Sequence, residues 1–158
     1  MNRHTALAIA TLLGLVVAAP QTGLAQSLPP VGTWKLNIAK STFVGPPPRS
    51  QTVDVQAEGQ GLRLTIENID AQGNSAKAVI VDFNDGKFHP VTGVAAYDAQ
   101  AEKVVTDSTK WTIRTKAGKV VQTLIGEMSA DGKTWTTTIG GVTPNGQPVN
   151  VVFVREKQ

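Results

Sequence analysis

The sequence predicts an all-β protein, an antiparallel up-and-down barrel of about eight to ten strands. Apolar and polar residues alternate with a period of two in runs such as 62–67 and 110–115, which is typical of strands with one buried face. Pairs such as Asp131-Gly132 and Asn145-Gly146 separate these runs and favour tight hairpins. After residue 26, no window has apolar residues at the helical spacing, so helices are not expected.

The alternating runs and the turns between them define about ten strands in sequential hairpins. A meander of this length has two exposed edges, and closure into a barrel removes them. The predicted strands are 32–38, 51–57, 61–69, 75–83, 86–90, 97–106, 109–116, 119–129, 133–142 and 148–156.

A proline-rich segment, Pro46-Pro47-Pro48, interrupts the pattern after the first strand. Consecutive prolines donate no backbone hydrogen bonds and favour polyproline II. We expect a stiff crossover that covers one end of the barrel. The alternative is a strap that an aromatic groove of a partner recognises.

Composition excludes several classes of protein. The chain has 158 residues, of which 41% are hydrophobic and 17% are charged, and it contains no cysteine. The apolar fraction is too high for a disordered chain, and the missing cysteines exclude disulfides, thiolate catalysis and cysteine-based metal sites. Aromatic residues are only 5%, which disfavours a base-stacking surface for RNA.

The N-terminus has the pattern of a signal peptide. Arg3 precedes an apolar run from Thr5 to Ala19, and small residues follow up to Ala25. The run is shorter than the roughly 20 residues that span a bilayer, so cleavage after Ala25 is expected rather than an uncleaved anchor. Two regions follow: a signal peptide over 1–25 and a single β-barrel domain over 26–158.

The predicted signal peptide also bears on the compartment and the partners of the protein. Loss of Arg3 leaves a mature chain that is close to neutral, and its lysines are scattered, so no nucleic-acid partner is predicted. An exported chain without cysteine is typical of the bacterial periplasm or the medium. No membrane anchor is expected in the mature form.

Two resemblances accompany this pattern. The segment Gly32-Thr33-Trp34-Lys35-Leu36 resembles the first strand of the calycins, the lipocalins and fatty-acid-binding proteins. That resemblance implies a lipocalin-like barrel in which Trp34 lies at the base under an arginine of the last strand, here Arg155. The family's carboxylate-binding Arg-x-Tyr pair falls on Phe153 and Arg155, so its tyrosine is missing. Its helical lid is replaced by the proline segment.

The second resemblance covers more of the chain. A family of small exported bacterial proteins that has no established activity is similar to this chain at the segments 34–37, 40–43, 45–48, 85–87, 90–93 and 146–150 and at Ser50. This resemblance implies a compartment and a fold, and it assigns no substrate.

The predicted binding residues are the aromatic side chains that could face the barrel interior. Pockets of this kind are mostly apolar with a few polar anchors. Arg114 and Tyr97 are possible anchors, but alternation places Arg114 on the opposite face from Trp111, hence outside. The predicted ligand-binding set is Phe83, Tyr97, Trp111, Trp135 and Phe153.

Catalytic and metal sites have weaker support. His89 is the single histidine after His4; it could act as a base oriented by Asp85 or Asp82, but no Gly-x-Ser-x-Gly elbow presents a serine to it. The aspartates do not fit a calcium loop, and most acidic residues fall at wet strand positions or in turns. No catalytic residue, metal or cofactor is predicted.

The sequence therefore predicts an exported, non-enzymatic barrel that binds a small apolar ligand. The alternative is a protein–protein interaction module, such as an inhibitor of an exported hydrolase, in which the short segment 26–30 would enter the target. An enzyme on the same barrel is the third hypothesis. A closed cavity inside the barrel would favour ligand binding, and a filled interior would exclude it.

Overall fold

The computed structural model describes residues 28–143 and 145–158. These residues form one antiparallel sheet of ten strands in the order β4-β3-β2-β1-β10-β9-β8-β7-β6-β5. The sheet curls on itself, and the all-β, up-and-down prediction is confirmed. The predicted signal peptide and its cleavage after Ala25 lie outside the described residues.

The strand bounds follow the alternating runs of the sequence closely. The third and seventh strands match the prediction at both ends. The predicted strand 86–90 is reduced to two residues, because Asn84 and Gly86 have positive φ angles of 53° and 77° and turn the chain. The strands are β1 Gly32–Leu36, β2 Ser50–Glu58, β3 Gly61–Ile69, β4 Ser75–Asp82, β5 His89–Pro90, β6 Ala99–Thr106, β7 Thr109–Lys116, β8 Lys119–Met128, β9 Thr134–Val142 and β10 Pro148–Lys157.

The strands β4 and β5 are the two edges of the sheet, and they face each other where the sheet curls round. Among the described residues, no strand ladder connects them. The backbone N–H of Gly86 instead donates to the carbonyl of Glu102 at 2.8 Å, and a single bridge pairs Asp85 with Lys103. The segment between β4 and β6 therefore covers the gap that a closed ladder would fill.

One end of the curled sheet is packed with apolar side chains, and we call it the base. Trp34 is fully buried there, and its Nε1–H donates to the carbonyl oxygen of Pro30 at 3.1 Å. Its ring meets Trp135 edge-to-face, with centroids 6.0 Å apart. The rest of this cluster comprises Val53, Val55, Leu62 and Leu64.

The chain after β1 remains attached to β10. A short 3₁₀ turn, Ile38–Lys40, is followed by Ser41 and Thr42, whose hydroxyl oxygens accept from the backbone N–H groups of Val154 and Val152 at 2.9 and 2.8 Å. Phe43 then packs against Phe153, with ring centroids 5.7 Å apart. These contacts fix the start of the proline segment at the end of the sheet opposite the base, which we call the mouth.

Within residues 28–143 and 145–158, no helix has the length and hydropathy that a membrane crossing requires.

Candidate ligand-binding site

The curled sheet encloses a cavity of about 200 Å³. This is below the range of about 300–1,000 Å³ that drug-sized ligands occupy, so the space suits a small molecule or part of a larger one. One side of the cavity is apolar, because the inward positions of β2, β3, β4, β8, β9 and β10 carry aliphatic and aromatic residues. These are Val53, Leu64, Ile66, Ile80, Leu124, Trp135, Ile139 and Phe153.

The other side of the cavity is polar and is formed mainly by β6 and β7. In the hairpin register, Gln100 lies opposite Arg114 and Glu102 lies opposite Thr112, so these four side chains share one face. Lys110, two residues before Thr112, extends the row. The adjacent strands β6 and β7 thus both direct their polar side chains into the cavity.

Arg155 on β10 is a buried cation next to the cavity. Its Nη2–H donates to Oε1 of Gln51 at 2.8 Å, and its Nη1–H donates to Oγ1 of Thr137 at 3.3 Å. The guanidinium also lies over the ring of Trp135, 4.8 Å from the centroid. Burial, and then the charge of Arg114, lower the pKa of Arg155 to about 9, so it is charged at neutral pH.

Arg114 on β7 is the second guanidinium of the site. It lies 4.2 Å from the centroid of the Tyr97 ring and donates to the amide oxygens of Gln100 and Gln122 at 3.3 and 3.2 Å. Burial lowers the pKa of Arg114, while the neighbouring Tyr97 and Glu102 raise it. The expectation that this side chain lies outside the barrel is therefore wrong.

Asp82 and Lys110 form an ion pair inside the curled sheet. Both side chains are buried, and they belong to β4 and β7, which are not neighbours in the sheet. Asp82 also accepts from the backbone N–H of Asn84 at 3.2 Å. The pair therefore links β4, at one end of the sheet, to β7, which lies two strands in from β5 at the other end.

A second recess of about 350 Å³ lies at the mouth. It shares Tyr97, Arg114, Ile139 and Phe153 with the inner cavity, so the two spaces meet at Arg114. Its outer wall is apolar and includes Phe43, Val44 and Pro46. The proline segment thus borders the recess, which agrees with the expectation that it covers one end of the barrel.

The structure brings together three of the five predicted ligand-binding residues. Tyr97, Trp135 and Phe153 line the inner cavity. Phe83 is instead 39% exposed and lies against the ring of His89, 4.2 Å between centroids. Trp111 faces the outer side of the sheet, because its neighbours Lys110 and Thr112 face inward and side chains alternate along a strand.

The predicted pair at the barrel base is also arranged differently. Trp34 is a buried base residue, as expected, but the cation above its ring is Lys157, whose Nζ is 5.7 Å from the centroid. Lys157 is paired with Trp34 across β10 and β1. Arg155 lies two residues before Lys157 on β10 and is paired with Trp135 across β10 and β9. It is therefore one layer of side chains further from the base, and its guanidinium stacks on the ring of Trp135.

His89 lies outside the cavity. Its Nε2 is 3.0 Å from Oδ1 of Asp85, so Asp85 is its partner, while Asp82 is engaged by Lys110 in the interior. The imidazole does not face the space that a ligand would occupy.

Sequence reasoning missed Glu102, Lys110, Gln51 and Thr137 as site residues. An available signal was the alternation within each strand, which places Gln100 and Glu102 on one face of β6 and Lys110, Thr112 and Arg114 on one face of β7. A register shift between Val104 and Thr106 brings these two polar faces to the same side of the hairpin, and the turn at Asp107-Ser108 does not predict that shift. Assigning the apolar face to the interior was the error.

Comparison with known proteins gives a fold likeness at low similarity. No family model matches the sequence, and no curated protein matches it. Among the solved structures, zebrafish ileal bile acid-binding protein in complex with cholic acid matches with a TM-score of 0.40 and 11% sequence identity. The match covers 81% of this chain and 98% of that one.

Proposed function

We propose that this protein binds a small ligand that has an apolar body and an acidic group. The observation that carries the proposal is the pair of guanidinium groups, Arg155 and Arg114, at the wall of the cavity. Neither forms an ion pair with a carboxylate of the described residues. Their hydrogen-bond partners are side-chain amides and a hydroxyl, which carry no negative charge.

Buried charge without a counter-charge is unfavourable, because a group removed from water must be paired or hydrogen-bonded. A carboxylate matches a guanidinium well, because its two oxygens can accept two parallel N–H groups. An acidic ligand would therefore compensate the charge that the chain leaves on Arg155 and Arg114.

The apolar part of the ligand has two surfaces available. Trp135, Ile139 and Phe153 line the inner cavity, and the recess at the mouth adds Phe43 and Val44. The proposed ligand thus keeps the apolar character predicted from the sequence. It differs from that prediction by an acidic group, which binds at Arg155 and Arg114.

The experiment compares a charged and an uncharged probe of the same length. Calorimetric titration of the full chain with octanoate and octanol is expected to show tighter binding of octanoate, because only the carboxylate pairs with the guanidinium groups. Arg155→Met is expected to weaken octanoate binding by more than about tenfold and to leave octanol unaffected.

Arg63→Met is the matched control, because Arg63 lies on β3 and pairs with Glu58 outside the cavity. That variant is expected to bind octanoate like the unmodified protein. Equal affinity for octanoate and octanol, or an unchanged affinity in Arg155→Met, would contradict recognition of an acidic group.

Binding without chemical change is part of the proposal. The one histidine of the described residues pairs with Asp85 outside the cavity, which supports a binding role for the interior. A bound ligand is expected to be recovered unchanged after prolonged incubation, as checked by NMR. Conversion of the ligand would establish an enzyme instead.

Export is proposed from the sequence pattern of residues 1–25. The intact mass of the protein isolated from its own cells tests it, and the expected mature chain begins at Gln26. A mass that includes Met1 to Ala25 would contradict cleavage.

A further inference from the structure

Glu102 is a buried carboxyl group that the proposed anion site does not use. It lies on β6, it is 2% exposed, and it is among the residues that line the inner cavity. Its Oε1 is buried and has no hydrogen-bond partner among the described residues. A buried polar atom without a partner is unfavourable, so this oxygen marks a position where a polar group of a ligand would be stabilised.

The charged neighbours of Glu102 explain why it has no protein partner. Lys110 is the nearby ammonium group, but it pairs with Asp82. Arg114 is directed to Gln100, Gln122 and the Tyr97 ring. Asp85, in the segment that covers the gap, adds a further negative charge.

This environment keeps the carboxyl neutral. Burial is the largest cause and the charge of Asp82 the second, and together they raise the pKa of Glu102 to about 8 against the opposing effect of Lys110 and Arg114. A protonated carboxyl has one O–H donor and a carbonyl-type acceptor. It can therefore both donate to and accept from a hydroxyl group.

The polar groups of the cavity are ordered along the sheet. On β7, Thr112 lies opposite Glu102 and Arg114 lies two residues further toward the mouth, which is about 7 Å along a strand. Arg114 lines both the inner cavity and the recess, whereas Glu102 lines the inner cavity alone. A ligand whose acidic group meets the arginines would thus extend a second polar group inward to Glu102.

We propose that Glu102 forms a second polar subsite of the cavity and takes a hydroxyl group of the ligand. The ligand class is then a hydroxylated carboxylic acid, with its apolar part in the recess at the mouth. This inference rests on the proposed function, because it assumes that the acidic group lies at Arg155 and Arg114.

The test is calorimetric titration of the full chain at neutral pH with octanoate and with its monohydroxylated positional isomers. At least one isomer is expected to bind about tenfold more tightly than octanoate, as one added hydrogen bond to a buried group would give. Glu102→Leu is expected to abolish that gain and to keep octanoate binding, and circular dichroism checks that this variant is folded.

Glu102→Gln is the conservative variant, because an amide also offers a donor and an acceptor. It is expected to keep the preference for the hydroxylated isomer even if Glu102→Leu fails to fold. Glu127→Gln, on an exposed position of β8, is the matched control and is expected to leave every affinity unchanged.

The outcomes separate the two proposals. Octanoate binding without a gain from any hydroxylated isomer would overturn the subsite and leave the proposed function intact. A gain that persists in Glu102→Leu would also overturn it. If neither octanoate nor any isomer binds, both the proposed function and the subsite are wrong.

Discussion

The interior of the curled sheet has two walls of opposite character, although both are built from strands with the same period of two. The inward face of β1–β3 carries Trp34, Val53, Val55, Leu62 and Leu64 and is packed as core. The inward face of β6–β7 carries Gln100, Glu102, Lys110, Thr112 and Arg114 and borders a cavity.

The difference shows what each wall contributes. Apolar burial stabilises the fold at roughly 25 cal/mol per Å², so the β1–β3 wall supplies stability. The β6–β7 wall places ionisable groups where burial is unfavourable, and it satisfies only some of them. Ionisable groups that are buried around a cavity are typical of a binding site. We therefore assign the stability mainly to the β1–β3 wall, and the polar part of the candidate site to the β6–β7 wall together with Arg155 of β10.

The largest expected effect comes from breaking the apolar wall. Trp34→Ala removes a fully buried ring, its contact with Trp135 and its hydrogen bond to Pro30, and it is expected to lower the free energy of unfolding by about 5 kcal/mol. Trp111→Ala, on the outer face, is the matched control and is expected to lose about 1–2 kcal/mol. Urea denaturation measures both. Equal losses would contradict the assignment of inner and outer faces.

Breaking the ion pair of the polar wall is expected to have the next largest effect. Lys110→Met leaves the carboxylate of Asp82 buried without its cation and is expected to lower the free energy of unfolding by about 3 kcal/mol. Adding Asp82→Asn removes the unpaired charge and is expected to restore most of that loss. Lys77→Met, in the exposed pair with Glu67, should cause little change. A double variant no more stable than Lys110→Met would show that the pair is not the cause.

The smallest expected effect is a pH dependence that originates in Glu102. The folded-state pKa of this group is raised from 4.5 to about 8, so the native state binds its proton more tightly than the unfolded chain does. The contribution to stability is therefore complete below about pH 4.5 and is lost as the pH rises to about 8.

Glu102→Gln removes this titration. Relative to the unmodified protein, we expect this variant to raise the free energy of unfolding by about 2 kcal/mol more at about pH 9 than at about pH 5. This is less than the full pKa shift would give, because the cavity is continuous with the recess at the mouth. Denaturation at the two pH values measures the difference. A difference of zero would show that the carboxyl is ionised or solvated in the folded state.

Much of the fold was predictable because its signals are local. Strands 61–69 and 109–116 follow from alternation and from turns on either side of them, and neither signal needs a distant residue. The turns do not set every register, because irregularities shift it between Val104 and Thr106 on β6 and between Arg114 and Thr115 on β7. The fifth strand was predicted too long, over 86–90 instead of His89–Pro90, because the positive φ angles of Asn84 and Gly86 turn the chain there. Turn residues predict that a bend occurs more reliably than they predict how many residues it takes up.

The candidate site was predictable only in part. Tyr97, Trp135 and Phe153 are inward in the structure, as expected of aromatic residues in a barrel. Trp111 and Arg114 were assigned to the wrong faces, because a rule that apolar residues face inward fails where the interior holds a polar cavity. Alternation specifies two faces and does not say which of them is inside.

The sequence by itself determined the order of the strands, the approximate bounds of most of them, and the apolar positions of β1–β3, because each depends on neighbours within a few residues. Only the tertiary structure decided the pairing of Asp82 with Lys110, the stacking of Arg155 on Trp135 and the isolation of the Glu102 carboxyl. The first of these joins β4 to β7, which are separated along the chain by β5 and β6. The energies of all three depend on burial and on the charges that the curled sheet brings together.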